Sequence, residues 1–139
     1  MSVLVNEIEE PRKTRLWWLW WFVGWALLAA TVNESLQRKV WKVAEVLGWD
    51  KATHFCGYFV LATWFGGVTR RNRYPLVGAL LIAFSGVLEI LQGLMHEGRT
   101  ADWFDFLANS LGVTVALTAC SFGLGNWMVW IEKLLRVRK

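Results

Sequence analysis

Four long apolar runs constrain this chain more than any other feature of its sequence. They cover about residues 16–32, 53–69, 76–95 and 104–131. Each is close to the roughly 20 residues that a helix needs to span a bilayer. Helices are expected in all four because hydrocarbon cannot satisfy the hydrogen bonds of an open backbone. The fourth run is longer than a span requires, so its end is expected to tilt or to lie in the interface.

The composition also indicates a membrane protein. Hydrophobic residues make up 55% of the 139 residues and charged residues only 19%, which is little charge for the surface of a soluble domain. No basic helix or aromatic platform typical of nucleic-acid binding is present. Cys56 and Cys120 lie inside apolar runs and match no disulfide or metal-binding pattern. We therefore predict one all-α domain over residues 1–139, a bundle of four transmembrane helices.

Basic residues predict the orientation of this bundle. Lys and Arg precede the first run, fill the link between the second and third, and follow the fourth. In a four-span protein these three segments share one side, which should be the cytoplasm, so both termini are predicted inside. Six tryptophans would form a belt at that inner interface: Trp17, Trp18, Trp20, Trp21, Trp127 and Trp130.

The link between the first two runs, residues 33–48, differs from an ordinary loop. Leu36, Val40, Val43 and Leu47 recur at helical spacing, with charged residues between them. This pattern predicts a short amphipathic helix that lies on the outer surface, where it caps the bundle or touches lipid headgroups.

Polar side chains interrupt the apolar runs at the end that is predicted to face outward. Three helices each carry such a stripe on one face: Asp50, His54 and Tyr58 on the second; Glu89, Gln92 and His96 on the third; Asp102, Asp105 and Asn109 on the fourth. An ionised side chain in the bilayer costs on the order of 3 kcal/mol even on the lenient insertion scale. The stripes are therefore predicted to face one another or a water-filled pocket.

The charges of this region leave two arrangements open. Lys51, Arg99 and two helix N-termini would suit a phosphate, but the acidic residues bring at least as much negative charge. Either the acids neutralise the bases, or a divalent cation joins the acids to a phosphate. The candidate ligands of such a cation are Asp50, His54, Glu89 and Asp105.

The order and spacing of these residues resemble the VanZ-like membrane family. The resemblance lies in Asp50-Lys51-x-x-His54-Phe55-x-x-Tyr58, then Glu89-x-x-Gln92, then Arg99-x-x-Asp102-x-x-Asp105-x-x-x-Asn109-x-x-Gly112, and it covers about residues 50–116. It implies an integral protein of the bacterial cytoplasmic membrane. The family takes its name from a protein linked to low-level resistance to the glycopeptide teicoplanin, which acts outside the membrane on lipid-linked wall precursors.

Two classes of function follow, and the sequence leaves both open. In the first, an enzyme acts on a phosphate-bearing lipid headgroup or lipid-linked precursor at the outer leaflet. His54, Glu89 and Asp105 would then do acid–base work, and the substrate would be bound by Lys51, Tyr58, Gln92, Arg99 and Asn109. In the second, the same residues bind a lipid without catalysis, or dock a partner in an envelope assembly or a homo-oligomer.

Structural roles compete with these functional ones. Asp50 and Asp102 suit helix capping equally well, and His54 could simply be hydrogen-bonded to Glu89 or Tyr58. No nucleophile motif is present, and Ser85 is expected to lie at a different depth and side from His54.

Overall fold

A computed structural model describes residues 15–36, 49–95 and 101–135 of the chain. Within these ranges the chain is all-helical, as predicted, and contains no strand. The helices are α1 (Trp17–Leu36), α2 (Trp49–Val68), α3 (Tyr74–Leu94), α4 (Trp103–Ser121) and α5 (Trp127–Leu134), with short 3₁₀ turns at Arg71–Arg73 and Leu124–Asn126. Most of the predicted amphipathic helix, residues 37–48, lies outside the described ranges, and its first residues form the last turn of α1.

Helices α2 and α4 run parallel to each other in close contact. Near their beginnings Gly112 lies against the backbone of Phe55, and further along Cys120 lies against Gly66. A Cβ atom at position 112 would come within 2.4 Å of the Phe55 carbonyl oxygen. Small residues at this face therefore allow the backbones to approach. The parallel course brings the N-termini of both helices to the same end of the bundle.

The other two long helices run in the opposite direction. Contacts between α3 and α4 pair Gly78 with Leu117, Gly86 with Phe106 and Gly93 with Ala101. Near the start of α1 the Trp64 indole N–H donates to the Trp20 carbonyl, and near its end the Gln92 amide donates to the Ser35 carbonyl. The four long helices therefore alternate up and down, which is the order expected of short links between neighbours.

The core lies between α2, α3 and α4, and much of the outer surface is apolar. Core side chains include Leu61, Ala62, Leu81, Val113 and Ala116. Large apolar side chains also point outward from α3 and α4, among them Leu80, Ile90, Leu111 and Val115. By length and composition, the segments Arg71–Leu94 and Trp103–Ser121 could each cross a membrane. The mean hydropathy of α2 is lowered by the polar residues of its first two turns.

The fourth apolar run is divided, in contrast to the single helix predicted over residues 104–131. Helix α4 ends at Ser121, and Gly123 follows with a φ of 123°. An α-helix cannot continue through a positive φ, and glycine adopts one without steric cost. The short turn Leu124–Asn126 then leads into α5, whose Glu132 contacts the beginning of α1.

Hydroxyl groups along α4 bond to the helix that carries them. Ser110, Thr114 and Thr118 each donate to the carbonyl oxygen four residues earlier, at 2.8 Å. Such bonds are common for Ser and Thr inside helices. Thr114 and Thr118 are exposed on the outside of the bundle, so the polar groups on this face have their acceptors within α4.

Candidate functional site

The structure brings the predicted polar stripes of three helices to one end of the bundle. We call this group the polar end: Asp50, Lys51, His54, Glu89, Asp102, Asp105 and Asn109. It forms because α2 and α4 begin here and α3 ends here, as the alternating course of the helices requires. The functional roles assigned to these residues from the sequence stay predictions.

Lys51 holds three carboxylates together. Its ammonium group is hydrogen-bonded to Asp102 Oδ2 and Asp105 Oδ1, and it lies 3.5 Å from Asp50 Oδ2. The Lys51 side chain is still 40% exposed, so an incoming group could reach it. Three carboxylates against one ammonium leave two uncompensated negative charges in this group, which disfavours a bare phosphate.

Asp102 links this ion pair to the beginning of α4. It is the N-cap residue of the helix, and its Oδ1 accepts the Phe104 backbone N–H at 2.8 Å. The hydrogen bond from Lys51, followed by the one from Phe104, holds the pKa of the Asp102 carboxyl below its usual value. The capping role is therefore confirmed for Asp102. It is wrong for Asp50, because α2 already begins at Trp49.

His54 contacts α4 with both ring nitrogens. Its Nδ1 lies 3.2 Å from Asn109 Oδ1, and its Nε2 lies 3.5 Å from Asp105 Oδ2 and 3.9 Å from Asp50 Oδ1. The expectation that His54 bonds to Glu89 or Tyr58 is therefore wrong. The Asn109 amide is assigned with its carbonyl towards the ring, which makes Nδ1 the protonated nitrogen and turns Nε2 towards the carboxylates.

Ser85 supports this arrangement, although the sequence reading placed it elsewhere. The Asn109 amide Nδ2 donates to Ser85 Oγ at 2.8 Å, so only one side chain separates Ser85 from His54. This position could be recognised from the sequence, because Ser85, Glu89 and Gln92 follow the i, i+4, i+7 spacing of one helix face. Ser85 is fully buried, and this burial argues against a nucleophilic role.

Glu89 is nearly buried and joins the end of α3 to the start of α4. Only 7% of it is exposed, and its Oε2 accepts the Asp102 backbone N–H at a long 3.4 Å. Its carboxylate therefore lies at the same end of the bundle as Lys51 and Asp102.

The two other described residues of the predicted site lie apart from the polar end. Tyr58 is buried one turn deeper, within hydrogen-bonding reach of Ser85. Gln92 turns towards α1, where its amide donates to the Ser35 carbonyl at 2.7 Å, so it joins two helices rather than lining the polar end. Arg99 and His96 lie outside the described residues.

Three of the four predicted metal ligands come together. Asp50, His54 and Asp105 each offer a ligand atom, and these atoms lie within 4.8 Å of one another. Glu89 is not part of this group. The donor set, two carboxylate oxygens and one imidazole nitrogen, fits divalent metals of borderline hardness.

Trp20, Trp64 and Trp127 pack together at the opposite end of the bundle. We call these three residues and Glu132 the tryptophan end. The Trp64 and Trp127 rings lie 4.5 Å apart, and the Trp20 ring lies 5.3 Å from that of Trp127. The Trp127 indole donates to the Thr63 carbonyl at 3.1 Å. Trp20 is 8% exposed, so its ring packs inside the bundle rather than on its surface, and its depth in the membrane stays a prediction.

Glu132 is the buried acid of the tryptophan end, and no motif in the sequence singles it out. Its carboxylate accepts the Trp20 indole N–H at 3.0 Å and the backbone N–H groups of Arg15 and Leu16 at 3.1 and 3.2 Å. The last two are among the groups that α1 cannot satisfy within itself. Glu132 therefore caps α1 from α5.

Neither the protein-family models, nor the curated proteins, nor the solved structures compared with this chain match it. The VanZ-like resemblance accordingly stays a prediction from the sequence pattern.

Proposed function

We propose that the chain is a four-span integral protein of the bacterial cytoplasmic membrane, with both termini in the cytoplasm and the polar end at the outer face. The polar end binds the phosphate-bearing headgroup of an envelope lipid or a lipid-linked wall precursor. The observation that supports this proposal is the convergence of Lys51, His54 and Asp105 from two parallel helices at one end of an otherwise apolar bundle.

The shape of the bundle favours a lipid as the partner. Exposed apolar side chains of α3 and α4 would contact acyl chains, while the N-termini of α2 and α4 bring partial positive charge to the polar end. A lipid that lies against the bundle would place its headgroup at this level. Lys51 is exposed enough to reach it.

The charge pattern favours a binding site over a purely structural network. Burying ion pairs adds little stability, because the loss of hydration offsets their attraction. Glu132 shows how this fold satisfies a buried acid that serves structure. The polar end instead gathers three carboxylates around the single ammonium group of Lys51.

Catalysis by the same residues is a second candidate, supported by His54. Its Nε2 faces Asp105 at 3.5 Å, and histidine exchanges protons near neutral pH. A proton could therefore pass between His54 and a bound headgroup. The VanZ-like pattern supports a headgroup site in either form, since it implies a membrane protein that acts where lipid-linked wall precursors are exposed.

Binding is tested with the purified full chain in detergent. Native mass spectrometry compares a polyprenyl phosphate with the same polyprenol lacking phosphate, and the phosphate form should bind preferentially. Lys51→Ala and Asp105→Asn should abolish this preference, whereas Lys133→Ala at the opposite end of the bundle should preserve it. Equal binding of the two lipids, or full binding by Asp105→Asn, would contradict the proposal.

Catalysis is separated from binding by turnover in vesicles. Under the catalytic candidate, the wild-type chain converts the bound headgroup, and His54→Gln binds it without conversion. A wild-type chain that binds the lipid and leaves it unchanged supports the non-catalytic form. For the orientation, a reporter fused after Lys139 should lie in the cytoplasm, and an external signal would place the polar end on the wrong side of the membrane.

A further inference from the structure

Asp50 and Asp105 divide their oxygen atoms between two neighbours in the same way. Each directs one oxygen to Lys51: Oδ2 of Asp50 at 3.5 Å, and Oδ1 of Asp105 in a direct hydrogen bond. The other oxygen of each faces His54 Nε2, at 3.9 Å for Asp50 and 3.5 Å for Asp105. Lys51 therefore orients both carboxylates and leaves one oxygen of each directed at the imidazole.

The opposite side of the imidazole fixes which nitrogen is free. Nδ1 donates to Asn109 Oδ1, and Asn109 is itself held by Ser85. Nε2 is the nitrogen that faces the two carboxylate oxygens, so a cation placed between them would take its lone pair. Histidine ligands of metals almost always donate their second N–H to a carbonyl or carboxylate in this way.

The spacing suits a metal ion. With metal–ligand bonds of about 2.1 Å, neighbouring ligand atoms lie about 3.0–3.4 Å apart. The separation of 3.5 Å between Nε2 and Asp105 Oδ2 is already close to this value, and Asp50 Oδ1, at 3.9 Å, has to approach Nε2 by at least about 0.5 Å. All three ligand atoms lie within 4.8 Å of one another.

The charge of the cluster also favours a cation. Lys51 brings one positive charge to the carboxylates of Asp50, Asp102 and Asp105, which leaves two negative charges uncompensated within this group. A divalent ion would neutralise them.

We propose that Asp50 Oδ1, His54 Nε2 and Asp105 Oδ2 bind a divalent transition-metal ion such as Mn²⁺ or Zn²⁺. The imidazole ligand favours these ions over Mg²⁺, which prefers oxygen ligands alone. The inference rests on the proposed function in one respect: the positions left open on the ion accept the phosphate oxygens of the headgroup. Asn109 and Ser85 position the histidine.

The test uses the full chain in detergent, stripped with EDTA and containing no added lipid. Titration calorimetry with Mn²⁺ should show one ion per chain, and Co²⁺ should give a visible absorption spectrum typical of a nitrogen ligand. His54→Gln and Asp105→Asn should each weaken Mn²⁺ binding at least about tenfold. Asn109→Leu, which removes the support of the ring, should weaken it by about 10- to 100-fold.

Glu34→Gln is the charge control, because Glu34 is an exposed acid in the last turn of α1 and is not one of the polar-end residues. It should leave Mn²⁺ affinity unchanged. Absence of Mn²⁺ binding to the wild type overturns the inference, as does an equal loss in Glu34→Gln and Asp105→Asn, since binding would then follow total charge. Helical circular dichroism is recorded for every variant so that misfolded chains are excluded.

Failure of this inference is distinguishable from failure of the proposed function. Headgroup binding that persists in EDTA, with no Mn²⁺ bound to the wild type, overturns the metal site and preserves the headgroup site. Mn²⁺ binding that requires His54 and Asp105, without any preference for the lipid phosphate, supports the metal site and overturns the headgroup proposal.

Discussion

Both ends of the bundle contain a nearly buried glutamate, but the two carboxylates have very different surroundings. Glu132 at the tryptophan end accepts three N–H groups at 3.0–3.2 Å. Among the described residues, Glu89 at the polar end accepts one, at 3.4 Å. The first carboxylate completes the hydrogen bonding at the start of α1, whereas the second joins the end of α3 to Asp102 at the start of α4.

This difference distinguishes a capping acid from an acid of the polar end. Burial of a charged group is tolerated where enough donors surround it, and Glu132 meets that condition with backbone and indole N–H groups. Glu89 lies instead at the end of the bundle where three aspartates share the ammonium group of Lys51. Departures of this kind from simple structural pairing are expected at functional sites.

The largest effect is expected for Glu132→Ala. The substitution removes the acceptor of three N–H groups, one of them the buried Trp20 indole, and should lower the free energy of unfolding by about 3 kcal/mol. Thermal unfolding in detergent, followed by tryptophan emission, measures the change. A loss well under 1 kcal/mol would show that Glu132 is no more structural than Glu89.

Gly112→Ala should perturb the polar end while sparing the tryptophan end. The added methyl group meets the Phe55 carbonyl oxygen at 2.4 Å, so α2 and α4 must move apart near His54, at a cost of about 2 kcal/mol. Gly57→Ala, where the added atom meets nothing within 4 Å, is the control and should be neutral or stabilising. Lipid or Mn²⁺ binding should fall only in the first variant, and equal effects of the two would contradict the close approach of α2 and α4.

Glu89→Gln should have a smaller effect of opposite sign. The amide keeps an oxygen for the Asp102 N–H, and removing a nearly buried charge should leave the free energy of unfolding unchanged or raise it by up to about 1 kcal/mol. The same change should weaken headgroup binding, a combination typical of functional residues. A clear loss of stability would instead indicate that Glu89 has a structural role like that of Glu132.

The smallest effect concerns the pH dependence of Asp102. The bond from Lys51 lowers the pKa of this carboxyl in the folded state, so its contribution to stability is complete above the unfolded pKa of about 3.9 and is lost as the pH falls through the lower folded value. Wild type should therefore unfold at a higher temperature than Asp102→Asn at pH 7, and the gap should close below about pH 4. A gap that is independent of pH would mean that the ionised carboxylate is not what Lys51 recognises.

The sequence predicted the polar end well because its residues follow helix periodicity. Asp50 and His54 share one face of α2, and Asp105 and Asn109 share one face of α4, so the stripes meet once the helices alternate. The four long helices and the close approach at Gly112 follow from the same pattern. The sequence could not show which atoms pair. In the structure, His54 contacts Asn109 and Asp105 instead of Glu89 or Tyr58.

The tryptophan end could not be predicted, because it depends on a break in the last apolar run. Gly123 with its positive φ turns the chain, and only then does α5 bring Glu132 to Trp20. Neither Glu132 nor the interior position of Trp20 follows from helix periodicity, since the contact joins residues at opposite ends of the chain. The positions of the tryptophans in the sequence suggested a belt at the membrane interface, whereas Trp20, Trp64 and Trp127 pack against one another in the structure.

The hydroxyl series of Ser110, Thr114 and Thr118 bears on how α4 would pass from a translocation channel into lipid. Each O–H already has an acceptor on its own helix, so transfer to hydrocarbon leaves no donor unpaired and costs less than for a free hydroxyl. Because these bonds require no neighbouring helix, they are available before the bundle assembles. During insertion α4 would therefore behave as a more hydrophobic segment than its residue types alone suggest.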